Sequence, residues 1–309
     1  MSLHSNYRLY NDYKDIDWLR EGFFDFTKKI FGLSFKEWYE YGFWGANYRC
    51  YSLVDNKQII SNVSLSELDL IINGNEKKGV QLATVGTLDE YRGKGLSRYL
   101  MEMVLEDYKE KCDFIYLSAN DSVVDFYPRF GFRRIPEYKF TSSLSQIITK
   151  NDILQNHTGD NNLKNSFVRK LEIKNNTDIE IIKRLFEERS ILSERLFIKN
   201  YFSILMWYLV NFYKNNIWYI EKEEIIVIYQ VEGQTIHLFD IISKEPPVLA
   251  DLLNYLNLKN VEEVRFYFTP ELLGVEFESE AILKEDPFFI QGDFALEGNE
   301  FTIPQLAQT

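Results

Sequence analysis

The sequence predicts an α/β (α+β) protein of two domains, each a mixed, mostly antiparallel twisted sheet flanked by helices. Its 309 residues suit two domains of the usual ~100 to 200 residues each. Hydrophobic residues make up 45% of the chain and aromatic residues 16%, enough for two sizeable cores. The second half repeats the order of predicted strands and helices of the first half, which favours an internal duplication.

In the first half, two short turns separate a run of strands. The turns are Asp-Asn-Lys at 55–57 and Asn-Gly-Asn at 73–75, so three antiparallel strands are expected to follow one another as hairpins. Apolar periodicity predicts the rest. The predicted elements are a strand at 7–10, a helix at 17–31, strands at 48–54, 58–72 and 78–88, a helix at 96–108 and a strand at 113–118.

A polar, asparagine-rich stretch at 146–166 predicts a linker. It divides the chain into domains at 1–145 and 167–309. The apolar residues of 288–309 predict a segment that packs on the core. The other elements predicted in the second half are a strand at 168–173, helices at 177–189 and 201–213, strands at 217–221, 224–232 and 235–242, a helix at 248–256 and a strand at 263–269.

The stretch from Val80 to Leu100 reads as a strand, a tight basic glycine loop and a helix. Backbone N–H groups in the first turn of a helix lack intrahelical partners, and the helix dipole adds roughly half a positive charge there. Glycine at 93 and 95 lets the backbone close on an oxygen atom. An anion site is therefore predicted at Arg92, Gly93, Lys94, Gly95, Leu96 and Ser97.

Two common phosphate loops do not fit this stretch. A Walker loop needs glycine at 88 and serine or threonine at 95, where Leu88 and Gly95 stand, and a dinucleotide fingerprint needs a third glycine at 98, where Arg98 stands. The sequence Arg-Gly-Lys-Gly-Leu-Ser at 92–97 instead resembles the Arg/Gln-x-x-Gly-x-Gly/Ala signature of the GNAT superfamily of acetyl-CoA-dependent N-acetyltransferases. Ser97 departs from the usual glycine or alanine.

A second block resembles the same family. An apolar strand at 113–118 is followed by Asn120, and Tyr127 opens the sequence Tyr-Pro-Arg-Phe-Gly-Phe at 127–132. This is similar to the family's strand, Asn, helix and Tyr-x-x-x-Gly-Phe arrangement, with Pro128 an unusual residue after the tyrosine. The flanking strands extend the resemblance over most of the first half.

The resemblance implies a cofactor and the residues that hold it. In the family, acetyl-CoA enters a gap where the fourth and fifth strands splay apart, and its pantetheine arm pairs with free backbone of the fourth strand, here at Val85 and Thr87. Tyr127 lies where the family places the acid that protonates the leaving thiolate, a transfer worth ~10²- to 10⁴-fold. The implied cofactor-binding residues are Val85, Thr87, Arg92, Gly93, Lys94, Gly95, Leu96, Ser97, Arg98 and Asn120.

The acceptor site and the general base are less defined. In the resembled fold, the aromatic stretch 35–51 lies over the acceptor site; the alternative is a helix that packs its aromatic side chains on the core. Candidates for the acceptor wall are Glu37, Trp38, Tyr39 and Trp44. Many relatives use a glutamate on the fourth strand as base, but 78–88 contains no carboxylate. The candidate bases, each with a solvated surface carboxylate as the alternative, are Glu37, Glu40, Glu67, Asp69 and the terminal carboxylate of Thr309.

The second half looks like a degenerate domain of the same type. The position that matches the glycine loop is Ser-Lys-Glu-Pro-Pro at 243–247, which has no glycine, two prolines without N–H donors, and a carboxylate that repels phosphate. His237 and Asp240 lie on an apolar strand and are interpreted as structural. We therefore expect the second half to bind no cofactor.

Composition limits the partners. The net charge of −12 argues against nucleic acid and is compatible with a cationic amine substrate, although many cytoplasmic proteins are acidic. Cys50 and Cys112 are isolated and the chain has three histidines, so neither a metal site nor a disulfide framework is expected. No stretch is typical of a membrane span or a signal peptide. The sequence thus predicts a cytoplasmic protein without nucleic-acid or membrane partners, and leaves a homo-oligomer open.

The main hypothesis is an N-acetyltransferase that moves an acetyl group from acetyl-CoA to a primary amine of a small molecule or peptide, by direct attack in a ternary complex. The alternative is a non-catalytic module that binds or senses acyl-CoA, in which the aromatic stretch and Tyr127 only pack. Turnover separates the two.

We expect Gly95→Glu to abolish acetyl-CoA binding. A side chain at 95 would push the helix N-terminus away from the pyrophosphate and forfeit several charge-assisted hydrogen bonds of ~1.5 to 3 kcal/mol each. Calorimetry measures the affinity, and an unchanged affinity would remove the glycine loop from the cofactor site.

Overall fold

The structure is a computed structural model that describes residues 7–120, 123–149, 167–256, 258–282 and 287–309. Two twisted sheets hold these residues together, one of eight strands and one of seven within the described ranges. Helices pack on both sheets. The mixed, mostly antiparallel fold class predicted from the sequence is confirmed.

The first-half elements match the predicted order closely. Both predicted hairpin turns form, with positive φ at Asn56, Lys57, Asn73 and Gly74, the backbone that suits tight two-residue hairpins. The elements are β1 (Arg8–Asn11), α1 (Asp17–Phe31), α2 (Lys36–Glu40), β2 (Tyr48–Asp55), β3 (Gln58–Ile72), β4 (Asn75–Thr87), α3 (Leu96–Tyr108), β5 (Phe114–Ser118), β6 (Arg133–Ile135), β7 (Glu137–Ser143) and α4 (Leu144–Thr149).

The second-half elements follow the same plan, with shorter ends than predicted in several places. Of the predicted linker, residues 150–166 lie outside the described residues, and 146–149 belong to α4. The elements are β8 (Val168–Lys170), α5 (Asn176–Glu188), β9 (Leu196–Ile198), α6 (Phe202–Asn211), β10 (Ile217–Ile220), β11 (Ile225–Glu232), β12 (Thr235–Ile242), α7 (Leu249–Leu253), β13 (Glu263–Phe266), β14 (Glu278–Ile282) and β15 (Phe288–Gly292).

The two sheets have the same strand plan, and each takes a strand from the other half of the chain. The first has the order β1-β2-β3-β4-β5-β15-β6, with β9 also paired to β3, and the second has the order β14-β7-β13-β12-β11-β10-β8. Strand β15 lies between β5 and β6, and β7 lies between β13 and β14. Each complete sheet therefore contains residues from both sides of the predicted boundaries at 145 and 167. These boundaries divide the sequence into two halves but do not separate the two sheets.

Strands β4 and β5 form the parallel pair of the first sheet, and they stay together for only three residues. Gly79–Gln81 pairs with Phe114–Tyr116, and no pairing follows. On its other side, β4 stays paired with β3 up to Thr87. This confirms the predicted splay between the fourth and fifth strands, and it leaves one edge of β4 open from Leu82 onward.

Five strands were not predicted: β6, β7, β9, β14 and β15. They are three to seven residues long, and most pair with strands far away in the chain. Short strands lack the alternation that reveals a strand in the sequence. The segment 288–309 does pack as predicted, because Phe288, Phe301, Ile303 and Leu306 are buried.

Gly292, at the end of β15, allows the close approach of this exchanged strand to β5. Its φ is +102°, and a Cβ there would lie 2.6 Å from the carbonyl oxygen of Asp113 and 2.9 Å from the Cα of Phe114. We expect Gly292→Ala to lower the free energy of unfolding by about 2–5 kcal/mol, since backbone strain and steric overlap each cost about 1–3 kcal/mol. Urea unfolding measures it.

The matched control is Gly298→Ala. Gly298 also has positive φ, +85°, but its Cβ would have nothing within 4 Å. This variant should therefore show only the cost of the backbone conformation. Equal losses for the two variants would contradict the tight packing of β15 on β5.

Candidate functional site

A cavity of about 1070 Å³ opens where β4 and β5 diverge. One wall is the open edge of β4, residues 82–87, together with the end of β5 and the residues that follow it. A second wall comes from the end of α1 and the aromatic stretch after it. The opposite wall belongs to the second sheet, α6 and the C-terminal segment 302–309, so the cavity is built from both halves.

The glycine loop lies at one end of the β4 edge. Gly93 and Gly95 both have φ of +75°, and Gly95 is the N-cap of α3. Left-handed backbone at both glycines bends the loop tightly at the helix start, where backbone N–H groups can gather as in an anion-binding nest. The hydroxyl oxygens of Thr87 and Ser97 lie 2.6 Å apart, which ties the strand end to the helix start. The predicted strand, loop and helix are confirmed.

The predicted cofactor residues divide into those that line the cavity and those that shape the loop. Val85, Thr87, Arg92, Ser97 and Asn120 line the cavity. The other predicted cofactor residues are Gly93, Lys94, Gly95, Leu96 and Arg98. Of these, the Leu96 side chain is buried, while Lys94 lies over the Tyr91 ring, with its Nζ 4.4 Å from the ring centroid.

Strand β4 carries a bulge beside the cavity. Thr84 has φ of +44°, a conformation that is rare for a β-branched residue, and the β3–β4 register shifts between Asn62 and Ser64. Thr84 and its neighbours Ala83 and Val85 line the cavity. Bulges re-aim the groups of a strand and are frequent next to active sites. The strained backbone is therefore at the cavity surface.

Asn62, on the neighbouring strand β3, supports this bulge. Its side chain is fully buried, and its Nδ2 donates to the carbonyl and hydroxyl oxygens of Thr84, both at 3.0 Å. Its Oδ1 accepts from Ser52 Oγ at 2.7 Å, and Ser52 Oγ lies 2.6 Å from the Tyr13 hydroxyl. Burial raises the pKa of Tyr13, so this network is neutral. Asn62 was not predicted as a site residue; the signal was the group of polar residues at 61, 62, 64 and 66 inside an otherwise apolar strand.

Tyr127 lines the cavity from the 3-10 turn Tyr127–Phe130. Its ring packs edge-on against Phe126 and beside Phe289, with centroid distances of 5.3 and 5.9 Å. Burial raises the pKa of its hydroxyl to about 12. Because the hydroxyl is protonated below that pKa, Tyr127 can donate a proton at neutral pH.

Tyr48 is a cavity residue that was not predicted from the sequence. Its side chain is only 4% exposed, and its hydroxyl lies beside the side chains of Ser64 and Thr84. Burial raises the pKa of this hydroxyl, so it stays protonated. Tyr48 therefore packs into the cavity wall next to the Thr84 bulge.

The predicted acceptor wall is only partly at the cavity. Trp38 lines it, with its Nε1 donating to the carbonyl of Ser203 at 2.7 Å. Trp44 is buried among aromatic rings, with the Phe23 centroid at 5.3 Å, and Tyr39 lies under the guanidinium of Arg20. These two side chains, which do not line the cavity, therefore follow the alternative interpretation of aromatic packing.

The candidate bases differ in position. Glu37 and Glu40 are exposed, and Glu67 pairs with Arg49 at 3.1 Å. Asp69 accepts from Asn200 Nδ2 at 3.2 Å. None of these four lines the cavity, and within the described ranges no Asp or Glu side chain does.

Thr309 does line the cavity. Its Oγ1 lies 3.5 Å from the carbonyl oxygen of Leu82, at the start of the open β4 edge. The segment that carries it is anchored where Glu137 accepts from the Ile303 N–H at 2.8 Å and where the Gln305 N–H donates to the Tyr267 carbonyl at 3.0 Å.

The matching region of the second half has no glycine loop. Residues 243–247 connect β12 to α7, a helix of five residues. Asp240 forms a buried ion pair with Arg189 at 3.0 Å, and His237 Nδ1 lies 2.9 Å from the Tyr267 hydroxyl. Burial lowers the pKa of His237. These contacts support a structural role for both residues.

Two further findings concern metals and membranes. In the parts of the chain that the structure covers, no group of three or more His, Cys, Asp or Glu side chains could hold a metal ion. None of the described helices combines the length and apolarity that a membrane span requires.

Residues 16–135 match the family described as "Acetyltransferase (GNAT) domain". A protein of unknown function from Enterococcus faecalis V583, a probable N-acyltransferase, has a similar structure (TM-score 0.58, 16% identity, 93% of this chain and 72% of that chain covered). Eis1 from Mycobacterium abscessus is also similar, with a TM-score of 0.54 and 12% identity over 92% of this chain and 73% of that chain. A GCN5-related N-acetyltransferase from Kribbella flavida has a TM-score of 0.52 and 15% identity over 92% of this chain and 71% of that chain. No curated protein matches the sequence. The shared fold spans both halves of the chain.

We expect Asn62→Ala to lower the free energy of unfolding by about 2–4 kcal/mol. The substitution removes the partner of the buried Ser52 hydroxyl and of the half-buried Thr84 oxygens, and each group that loses its partner costs about 1–3 kcal/mol. Urea unfolding measures the loss. The control is Asn215→Ala, at an exposed asparagine, which should change stability by less than about 0.5 kcal/mol. Equal effects of the two substitutions would show that the Asn62 network does not hold the bulge.

Proposed function

We propose that this chain, whose residues 16–135 form an acetyltransferase domain of the GNAT superfamily, transfers an acetyl group from acetyl-CoA to a primary amine of a small molecule or peptide. The observation that carries the proposal is the meeting of three features in one cavity. These are the glycine loop, the open edge of β4 and the buried, protonated hydroxyl of Tyr127.

The residues present fit acetyl-CoA. The nest at Gly93 and Gly95, the first turn of α3 and the cation of Arg92 suit a pyrophosphate. The β4 edge from Leu82 to Thr87 has no partner strand on the β5 side, so its backbone groups can pair with the amide groups of a pantetheine arm. Ser97 and Asn120 add polar side chains along the same path.

When bound, acetyl-CoA supplies an activated acetyl group: the C–N bond to the amine forms, the C–S bond breaks, and CoA leaves as a thiol. Tyr127 carries the proton that the leaving sulfur needs. Its hydroxyl is protonated at neutral pH because burial raises its pKa to about 12. A backbone N–H beside the Thr84 bulge can donate to the carbonyl oxygen, as a fixed dipole that needs no reorganisation. Asn62 keeps that backbone in place.

The amine must also lose a proton. Among the carboxylates that the sequence analysis considered, only that of Thr309 belongs to a residue at the cavity. We keep Thr309 as the candidate base for this reason.

The second half supplies a wall of the cavity. Its connection at 243–247 offers no glycine and includes Pro246 and Pro247, which lack N–H donors. We therefore infer one acetyl-CoA for each chain, bound by the first half. The isolated Cys50 and Cys112 suit the reducing cytoplasm in which we place the protein.

The second candidate function is an acyl-CoA-binding or sensing module. It is favoured by the lack of a described carboxylate side chain at the cavity, since an enzyme of this kind needs a base. Such a module would bind acetyl-CoA but release no thiol.

We expect Tyr127→Phe to lower kcat about 10²- to 10⁴-fold, because the leaving sulfur loses its proton donor. The affinity for acetyl-CoA should change little. A thiol-release assay with a panel of polyamines, aminoglycosides, amino acids and peptide N-termini measures kcat, and calorimetry measures the affinity.

The matched control is Tyr116→Phe. Tyr116 is a buried tyrosine on β5 whose hydroxyl has no partner among the described residues, and it does not line the cavity. Its removal should leave kcat unchanged. A full kcat in Tyr127→Phe at saturating amine would show that Tyr127 serves only for packing. If the unmodified chain releases no thiol with any amine, the sensing module is favoured.

A further inference from the structure

Two cations line the cavity on the wall formed by the second sheet, and the proposed function does not use them. They are Lys139 on β7 and Arg265 on β13. We propose that they bind an anionic group of the acceptor, so that the acceptor is an amine that also carries a carboxylate or a phosphate. This inference rests on the proposed transferase function and names the substrate class of the same cavity.

The sheet register places the two cations side by side. Arg265 pairs with Thr141 on the neighbouring antiparallel strand, two residues from Lys139. Residues two apart on a strand share a face, and such diagonal neighbours lie about 7–8 Å apart. Both side chains are half-buried and both reach the cavity. One carboxylate or phosphate can therefore contact both.

Arg265 differs from the other described arginines in its partners. Each of the others that is buried or half-buried pairs with a carboxylate: Arg20, Arg49, Arg133, Arg169, Arg184, Arg189 and Arg195. In the described part of the chain, neither Arg265 nor Lys139 has a carboxylate within ion-pair distance. A partly desolvated cation without a partner is unfavourable. The missing partner is therefore expected from a ligand.

The neighbours of Arg265 leave its donors free. Its guanidinium carbon lies 4.8 Å from the centroid of the Tyr267 ring, a cation–π contact that positions the group without using its N–H donors. The carboxylates nearest in register are Glu263, on the same strand, and Glu280, opposite Lys139 on β14. Neither lines the cavity.

The C-terminal segment links these cations to the Leu82 end of the β4 edge, away from the glycine loop. Tyr267 contacts the C-terminal segment at Gln305, and this segment meets β4 at Leu82. From Leu82 to Thr87, where the loop begins, β4 runs five residues, or about 17 Å. The loop already offers N–H donors to the phosphates of the cofactor. We therefore assign Lys139 and Arg265 to the acceptor, which occupies the part of the cavity that the cofactor phosphates do not.

Aromatic side chains complete this end of the cavity. Trp207 and Tyr208 of α6 line the cavity, and packed rings of Tyr213 and Phe239 connect Tyr208 to Tyr267. The chain as a whole carries a net charge of −12, which suggested a cationic amine. The local charge of the cavity favours an acceptor with an anionic group and an apolar body instead.

The test uses matched amines that differ only in the anionic group. Tyrosine is compared with tyramine, O-phosphoethanolamine with ethanolamine, and spermidine represents cationic amines. Binding to the full chain saturated with CoA is measured by calorimetry, and turnover with acetyl-CoA is measured by thiol release. The protein variants are Arg265→Gln and Lys139→Gln. Lys170→Gln, at an exposed lysine on the far edge strand of the same sheet, is the control.

We expect at least one of tyrosine and O-phosphoethanolamine to bind more tightly than its partner without the anionic group. Arg265→Gln and Lys139→Gln should each weaken that binding, and raise KM, by about 10- to 100-fold through the loss of a charge-assisted contact. The kcat and the binding of the amine without the anionic group should change less than about twofold, and Lys170→Gln should change neither. The better of tyrosine and O-phosphoethanolamine identifies the anionic group as carboxylate or phosphate.

Two results would overturn the inference. One is a preference for tyramine, ethanolamine or spermidine that Arg265→Gln leaves unchanged; the other is that neither tyrosine nor O-phosphoethanolamine binds. If tyramine is turned over in either of these cases, the transferase proposal stands and the anion site is excluded. Conversely, binding of tyrosine that depends on Arg265, without thiol release from any amine, would keep the anion site and overturn the transferase function.

Discussion

The site depends on one constraint: β4 stops pairing with β5 after Gln81. A strand inside a sheet normally uses its backbone groups on both sides, and unpaired buried groups are costly. Here they face a cavity, where a ligand with its own amide groups can pair with them. Because β4 stays paired with β3 on its other side, the open edge is held rigidly. The Thr84 bulge and its support by Asn62 add to this rigidity.

The exchange of strands couples the two halves. Strand β15 completes the first sheet and β7 completes the second, so neither sheet is whole without the other half. The chain that follows β15 continues between the sheets, and its last residue reaches β4 at Leu82. A half that lacks a glycine loop of its own thereby forms one wall of the cavity beside the glycine loop of the other half.

Charge is distributed unevenly between the protein and its cavity. The chain is strongly acidic, yet the described charged side chains at the cavity are Arg92, Lys139 and Arg265. Walls of low dielectric strengthen the field of such groups compared with exposed charges. The net charge of the chain therefore describes mainly its outer surface. The charge that a ligand in the cavity meets is set by these three side chains.

The sequence by itself determined the local elements and the glycine loop. The helices at 17–31 and 96–108 and the first hairpins follow from periodicity and turn residues, which act over a few positions. Tyr127 was found because its motif is also local. Only the tertiary structure placed β7 and β15 in each other's sheets and brought Arg265 to the cavity. These contacts join positions far apart in the chain, and a short strand or a single charged residue carries no local signal of its partner.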